Sequence, residues 1–318
     1  MLNNKKIIRA FAPATVANVS CGFDVLGFAV DQPGDEVEIA LNASAEVVIK
    51  SIVGDKGRLP LQADKNTAGV AVMSLLNALG LKQGVEITLY KNLPLGSGMG
   101  SSAASAVAAL IGINYLLGEP FQKKDLLPFA MEAERVACGA AHADNVAPSL
   151  LGGVVLVRGY DPLDVVDIPL SGQLYCTLAH PNIELKTEDS RQVLRQNIPL
   201  KDAITQWGNI AGLVAGLMKP DYDLIGRSLK DVVAEPIRSL LIPGFNEIKD
   251  AAVKEGALGC GISGSGPTLF ALSKNYSTAD RVGRAMQLQF LKHKLNSEFY
   301  VSEVNRKGAY VIAEAVTA

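Results

Sequence analysis

Several residue types are scarce in this chain, and each scarcity excludes a class of function. Its 318 residues include four cysteines and three histidines. Cys21, Cys138, Cys176 and Cys260 form no C-x-x-C pair, so we expect neither a disulfide framework nor a zinc site. Aromatic residues make up only 6%, and the net charge is −2, so a nucleic-acid partner is not expected. A reduced, cytoplasmic protein is the plain interpretation.

Long hydrophobic runs are also missing. Lys5 and Lys6 near the start are followed by Arg9 and Pro13 and not by an apolar stretch, so no signal peptide is predicted. The most apolar segment, 101–117, is interrupted by serines and is short for a bilayer span. We therefore expect a buried helix there and no membrane partner.

Glycine, by contrast, is plentiful, and one glycine-rich stretch organises the chain. Residues 94–105 follow a strand-like segment, 84–90, and precede a predicted helix that reaches Leu117. Glycines let backbone amides approach a ligand, and a helix N-terminus attracts anions, so this order is typical of a phosphate site. The spacing Gly-x-Gly-x-Gly matches neither the P-loop nor the dinucleotide fingerprint. A flexible turn before a packed helix therefore remains open.

The first half contains several further predicted elements. A strand is predicted over 6–12, followed by a long loop, 13–27, with polar residues among apolar neighbours. Segments 37–41 and 45–52 are predicted to pair as antiparallel strands. Asp64 or Asn66 should cap a helix that ends near Leu79. Small residues around 139–149 predict a tightly packed polar loop.

The second half shows a different order of elements. Two prolines and three aspartates in 159–169 suggest a linker, and we divide the chain into domains 1–165 and 166–318. Strands and helices then alternate, and a second glycine- and serine-rich loop, 259–268, enters a strand. The pattern predicts an α+β fold with helices on one face of a sheet.

The three motifs at 13–27, 94–105 and 259–268 together resemble those of the galacto-, homoserine, mevalonate and phosphomevalonate kinase superfamily. The resemblance covers essentially the whole chain and, through the segment 142–148, is strongest to members that phosphorylate L-homoserine. It implies ATP-dependent formation of O-phospho-L-homoserine for threonine biosynthesis, with Mg²⁺, in a homodimer. It also implies an N-terminal domain like ribosomal protein S5, with a left-handed βαβ unit, and a ferredoxin-like C-terminal domain.

The resemblance also assigns residues to roles. For ATP it implies Asn66, Lys91, Pro94, Leu95, Gly96, Ser97, Gly98, Met99, Gly100, Ser101, Ser102, Ala103 and Ala104. For the substrate it implies Asn18, Asp24, His142, Asp144, Thr187, Arg191, Arg238 and Gly264. Ser102 and Glu134 are the implied Mg²⁺ ligands, and with Asp144 they form the implied catalytic set.

The residue chemistry suits these roles. Arginine matches a carboxylate with two parallel hydrogen bonds, and Asp24 suits an ammonium group. Our hypothesis is that Asp144 orients the substrate and is not an obligatory base. Two other interpretations remain open. Ser102 could simply cap the helix, and Glu134 could be a solvated surface residue, since Glu132 has the same chemistry two residues earlier. Lys91 is expected at the rim of the nucleotide pocket, or else at an exposed turn.

Two alternatives have different functions. One is another small-molecule kinase of the superfamily, such as one that acts on mevalonate. Two arginines facing an aspartate favour an amino acid over such a hydroxy acid. The other is a non-catalytic protein that senses metabolites on this fold. The presence of both Ser102 and Glu134 speaks against it.

Overall fold

A computed structural model describes residues 5–139, 142–185 and 187–317. Ala140 and Ala141, within the predicted polar loop, lie outside the described residues. The strands are β1 (Lys5–Ala17), β2 (Leu26–Asn42), β3 (Val47–Val53), β4 (Gly84–Tyr90), β5 (Val154–Tyr160), β6 (Leu163–Ile168), β7 (Tyr175–Pro181), β8 (Gly259–Ile262), β9 (Leu269–Ser273), β10 (Ser297–Glu303) and β11 (Tyr310–Thr317). The helices are α1 (Thr67–Ala78), α2 (Ser101–Leu116), α3 (Leu127–Cys138), α4 (Ala143–Leu151), α5 (Thr187–Gln192), α6 (Leu200–Met218), α7 (Tyr222–Ser228), α8 (Glu235–Arg238), α9 (Phe245–Lys254) and α10 (Tyr276–Lys292).

The first sheet has the strand order β11-β1-β2-β4-β3, with β5 on β2 and β6 on β5. Strands β3 and β4 are parallel neighbours joined through α1, so they form a βαβ unit, as the resemblance implies. The predicted antiparallel pairing of 37–41 with 45–52 was wrong, because β4 lies between β2 and β3 and pairs with both.

Two segments that were predicted to be irregular are, at least in part, strands of the first sheet. The predicted loop 13–27 narrows to 18–25, because β1 continues to Ala17 and β2 begins at Leu26. Residues 26–30 are all buried, so they lack the alternation of polar and apolar residues that marks a half-exposed strand. The predicted linker was wrong as well, because Leu163–Ile168 pairs with β5 inside the first sheet.

The predicted polar loop at 139–149 is mostly helix, since α4 begins at Ala143. Pro148 lies inside α4, where proline is normally unfavourable. Tertiary contacts hold the helix in place: Val146, Ala147 and Leu150 are fully buried in the core. The Ser149 hydroxyl donates to the Pro13 carbonyl at 3.0 Å. The helix places Asp144 in its first turn, so the polar residues of the motif project from a rigid element.

The second sheet is antiparallel, with the order β10-β7-β9-β8. Helices α9 and α10 cover it through an apolar layer that includes Phe245, Ile248, Met286 and Phe290. The chain then returns to the first sheet, where β11 pairs with β1. Phe28 of the first sheet meets Phe270 of the second edge to face, with ring centroids 6.2 Å apart. The division after residue 165 stays a prediction.

Candidate active site

A cleft of about 390 Å³ lies where the three sequence motifs meet. One end is lined by the glycine loop and residues around the start of α1, and the other by Asp24, Arg191 and Arg238. The volume is within the range of small-molecule sites. The cleft therefore brings a predicted phosphate site and a predicted amino-acid site into one space.

The glycine loop has the backbone that a phosphate cradle requires. Gly96, Gly98 and Gly100 have φ values of 62°, 79° and 70°, a left-handed conformation that other residues rarely adopt. Gly100, and not Ser102, is the N-cap of α2, and Ser102 is the second residue of the helix. The unpaired amides at this helix start are available to an anion.

Hydrogen bonds from both halves of the chain hold the loop. The Thr15 amide of β1 donates to the Met99 carbonyl at 3.1 Å. From the second half, the Ser263 hydroxyl donates to the Gly98 carbonyl at 2.8 Å, and the Thr268 amide donates to the Ser97 carbonyl at 3.1 Å. The loop is thus fixed before any ligand arrives, which lowers the entropy lost on binding.

Lys91 is neither a rim residue nor an exposed turn residue. Its buried ammonium is ion-paired with Asp35 and also donates to the Ser101 carbonyl at 2.8 Å and the Ser105 hydroxyl at 2.7 Å. Asp35 in turn accepts from the Asn92 and Leu93 amides at 2.9 and 3.0 Å. Lys91 therefore anchors the first turn of α2 to the end of β4, and its three protons already have acceptors.

The nucleotide end of the cleft is lined by residues that sequence reasoning partly missed. Asn66 caps α1 by accepting from the Ala68 amide at 3.1 Å, and it donates to the Pro60 carbonyl at 3.0 Å. Leu59, Pro60 and Lys65 line the cleft beside it but were not predicted. They lie between β3 and α1, in a segment that includes the short 3-10 helix Ala63–Lys65, where no motif or periodicity marked them.

The two glutamates of α3 have different environments. Glu132 is partly exposed and accepts from Arg135 at 2.8 and 2.6 Å. Glu134 is only 7% exposed and lines the cleft together with Ser102. The alternative that Glu134 is a solvated surface residue is therefore excluded.

These oxygen donors fit Mg²⁺, which prefers oxygen and commonly takes one or two carboxylates plus substrate phosphates. Within the described ranges, no three His, Cys, Asp or Glu side chains form a ready-made metal cage.

The substrate end contains two arginines and one aspartate around a single ring. Arg191 donates to both carboxylate oxygens of Asp24, at 2.9 and 2.8 Å. This hydrogen bonding raises the pKa of Arg191. The Arg191 and Arg238 guanidiniums lie 5.5 and 5.0 Å from the centroid of Phe23. An ammonium and a carboxylate of one zwitterion can therefore find partners of opposite charge here.

Asn18 and Gly264 hold this end together. The Asn18 side chain donates to the Gly264 carbonyl at 2.8 Å and accepts from the Asp24 amide at 3.0 Å. Arg238 donates to the same Gly264 carbonyl at 3.1 Å. Both residues line the cleft, but in this structure their polar atoms bond to each other, to the Asp24 backbone and to the Arg238 side chain. Burial lowers the pKa of Arg238.

Asp144 and His142 lie between the two ends. Asp144 is 4% exposed; burial, and then the nearby negative charge of Asp24, raise its pKa to about 7. Burial lowers the pKa of His142. Neighbouring Asn145 accepts from the Thr15 hydroxyl at 2.7 Å and also lines the cleft, although it was not among the predicted site residues.

Most of the predicted site residues line this cleft. They are Asn18, Asp24, Asn66, Lys91, Leu95, Gly96, Ser97, Gly98, Gly100, Ser101, Ser102, Glu134, His142, Asp144, Thr187, Arg191, Arg238 and Gly264. Pro94, Met99, Ala103 and Ala104 do not, and the last three are fully buried behind the loop. Besides the residues already named, Thr67 lines the cleft. So do four residues that were not assigned to it, Ala17, Leu89, Ser105 and Ser265.

Comparison with known proteins identifies the family. Residues 66–153 match the family model described as "GHMP kinases N terminal domain". Residues 213–292 match the one described as "GHMP kinases C terminal". The homoserine kinase of Chlorobium phaeobacteroides is 54% identical over 96% of this chain and 100% of its own. The crystal structure of homoserine kinase from Cytophaga hutchinsonii has 56% identity, a TM-score of 0.94 and 98% coverage of both chains. The chain belongs to the homoserine kinase family.

This membership confirms the resemblance and the two-part α+β fold class drawn from the three motifs. The mevalonate kinase of L. major, solved with R-mevalonate, has a TM-score of 0.72 over 95% of this chain and 97% of its own. The two sequences are only 15% identical, so this similarity shows a shared fold and nothing more. None of the described helices is long and apolar enough to cross a membrane.

Proposed function

We propose that this protein transfers the γ-phosphoryl group of ATP to the hydroxyl of L-homoserine and releases ADP and O-phospho-L-homoserine. The observation that carries the proposal is the single cleft that joins the glycine-loop amides to the Asp24, Arg191 and Arg238 cluster. Family membership agrees with it. The proposal includes a place in threonine biosynthesis, a cytoplasmic location and a homodimer, and light scattering of the purified protein tests the last of these.

In the proposed complex, the amides of 96–102 bind the nucleotide phosphates. The substrate carboxylate binds Arg191 and Arg238, and its ammonium group binds Asp24. Binding therefore replaces the ion pair between Asp24 and Arg191 with two pairs to the substrate. Mevalonate has no ammonium group, so it would leave Asp24 without a cation, which disfavours the mevalonate alternative.

Phosphoryl transfer depends on positioning and charge stabilisation more than on covalent help from the protein. The homoserine hydroxyl oxygen forms the new bond to the γ-phosphorus, and the bond to the bridging oxygen of ADP breaks. The hydroxyl proton passes to an oxygen of the transferred phosphoryl group and from there to solvent. Asp144 accepts a hydrogen bond from the hydroxyl and orients it. Ser102 and Glu134 would hold Mg²⁺ with the phosphates, and the ion supplies neutralisation of charge on the transferred group.

A coupled assay of ADP release with L-homoserine, ATP and Mg²⁺ tests this function. Glu134→Ala should lower kcat/KM on the order of 10³-fold, since charge stabilisation by a metal contributes several kcal/mol. Glu132→Ala is the matched control, because Glu132 lies two residues earlier in α3 and pairs with Arg135 at the surface. It should keep near-wild-type activity.

Three outcomes would contradict the proposal. Turnover of mevalonate without turnover of homoserine would assign a different substrate. Binding of ATP and homoserine without any ADP release would favour the metabolite-sensing alternative. Equal losses in the two glutamate variants would remove the metal role from Glu134.

A further inference from the structure

Gln206 lies behind the substrate end of the cleft and does not line it. It is in the first half of α6 and is only 6% exposed. A buried amide must find hydrogen-bond partners, because leaving one unpaired is costly. The partners of Gln206 therefore show what this residue connects.

The side chain of Gln206 bridges two segments that are far apart in sequence. Its Nε2 group donates to the Cys21 carbonyl at 2.8 Å and to Asp231 Oδ1 at 2.9 Å. Its Oε1 atom accepts from the Val232 amide at 3.0 Å. Both amide protons and the carbonyl oxygen are thus engaged, so the amide has one defined orientation.

One bridged segment carries the negative charge of the substrate site. Cys21 is in the loop 18–25, three residues before Asp24. Asn18, Val19 and Ser20 in this loop have positive φ values of 70°, 43° and 57°. Such a backbone persists only where its surroundings hold it, and the bond to the Cys21 carbonyl is one such restraint.

The other bridged segment carries a positive charge. Asp231 accepts from the amides of Val233, Ala234 and Glu235 at 2.8, 3.1 and 2.8 Å, and so it fixes the start of α8. Arg238 is the last residue of that four-residue helix. Because a helix of four residues has little stability alone, the position of α8 depends on such contacts.

We propose that Gln206 is a positioning residue that sets the distance between the ammonium-binding and carboxylate-binding arms of the substrate site. One amide holds both the loop with Asp24 and the segment that leads to Arg238. Because the two charged groups of an α-amino acid have a fixed separation, a change in that distance weakens binding of the amino acid. Within the described part of the chain, none of the hydrogen bonds of Gln206 reaches the loop 94–105. This inference rests on the proposed function.

Gln206→Met tests the proposal, since methionine keeps the length of the side chain and removes its hydrogen bonds. We expect the KM for L-homoserine to rise about tenfold, a size typical of lost buried hydrogen bonds, with the KM for ATP unchanged within about twofold. Gln287→Met is the matched control. Gln287 on α10 donates to the Ser297 carbonyl at 2.7 Å, away from the cleft, so both KM values should stay at the wild-type level.

The outcomes separate this inference from the proposed function. If the wild type does not phosphorylate homoserine, the proposed function fails. If the wild type is active and Gln206→Met leaves the KM for homoserine unchanged, or raises both KM values equally, the positioning role is overturned. Should Gln206→Met fail to fold, Gln206→Glu keeps the size of the side chain and the acceptor for the Val232 amide but loses both donated hydrogen bonds. The same selective rise in KM is expected, and an unchanged KM overturns the inference.

Discussion

At the scale of single residues, Asp144 is a buried carboxyl group of the cleft whose pKa is raised. Burial raises its pKa to about 7, and the nearby charge of Asp24 adds to the effect. A substrate ammonium bound to Asp24 would offset part of this repulsion, and a substrate hydroxyl would give Asp144 a donor. A ligand that carries both groups would therefore be favoured at this site.

Asp144→Asn separates orientation from base catalysis. Asparagine keeps the size and one acceptor oxygen but cannot take a proton. If Asp144 only orients homoserine, the KM for homoserine should rise about tenfold, and kcat should fall by less than that factor. Steady-state kinetics with ATP held saturating measure both. A collapse of kcat at unchanged KM would instead make Asp144 the base.

The same substitution predicts a pH-dependent change in stability. The folded protein binds the Asp144 proton up to about pH 7, whereas an unfolded chain releases it near pH 4. The charged carboxylate therefore costs folding free energy that grows from about pH 4 to about pH 7 and is constant above that. Asp144→Asn removes this cost, so its gain in unfolding free energy should be about 3 kcal/mol larger at pH 8 than at pH 5.

Urea unfolding of the wild type and the variant at the two pH values, without ligands, measures this difference. Equal gains at pH 5 and pH 8 would show that Asp144 titrates normally. The raised pKa would then play no part in the chemistry of the site.

At the scale of elements, the strand, glycine loop and helix at 84–116 follow directly from local sequence. Other elements did not, and their reasons are physical. Strand β2 begins with residues buried on both faces, which removes alternation. Helix α4 contains Pro148 and forms because the core holds it. The expectation that Lys91 lies at the rim of the pocket or at an exposed turn was wrong. Its partner, Asp35, is 56 residues away, and only the fold brings the two together.

The candidate site shows the same difference between residues that a local motif marks and residues that only the fold brings into place. Residues that stand in glycine-rich or polar motifs, such as Gly98, Asp24 and His142, line the cleft, and their binding roles stay predictions. Leu59 and Lys65 reach it from the segment between β3 and α1, and no local pattern reveals that approach. Gln206 was also invisible in the sequence, since a lone glutamine on a helix is usually exposed.

The loop conformation itself gives a prediction. A Cβ on Gly100 would collide with the Thr15 hydroxyl, which is fully buried. A Cβ on Gly118, at the other end of α2, would meet no atom of the described residues within 4 Å. Both glycines have positive φ, 70° and 80°, so alanine strains the backbone equally at each. Gly100→Ala should lower kcat/KM for ATP about 100-fold, because small misplacements near the chemistry cost that much.

Gly118→Ala is the control for backbone strain and should lose stability without losing activity. Kinetics with varied ATP, beside thermal unfolding of both variants, give the comparison. If the two variants lose activity to the same extent, the loop does not depend on its close contact with β1.

At the scale of the whole molecule, the two halves share one apolar interior. A continuous cluster of buried side chains includes Ile8 and Leu110 from the first half and Leu178, Leu213 and Phe270 from the second. The last strand, β11, returns to pair with β1. The glycine loop is also bonded to residues 263–268. Binding of the nucleotide and of the amino acid is therefore expected to depend on the integrity of both sheets.

This shared interior predicts a single cooperative unfolding transition. Phe270 is fully buried in the second sheet and packs edge to face on Phe28 in the first, so Phe270→Ala should cost about 3–5 kcal/mol. The whole transition should move to lower temperature, with the calorimetric enthalpy still equal to the van 't Hoff enthalpy. Differential scanning calorimetry of the two proteins measures this. Two peaks, of which only one shifts in the variant, would contradict the shared interior and would support a boundary near residue 165.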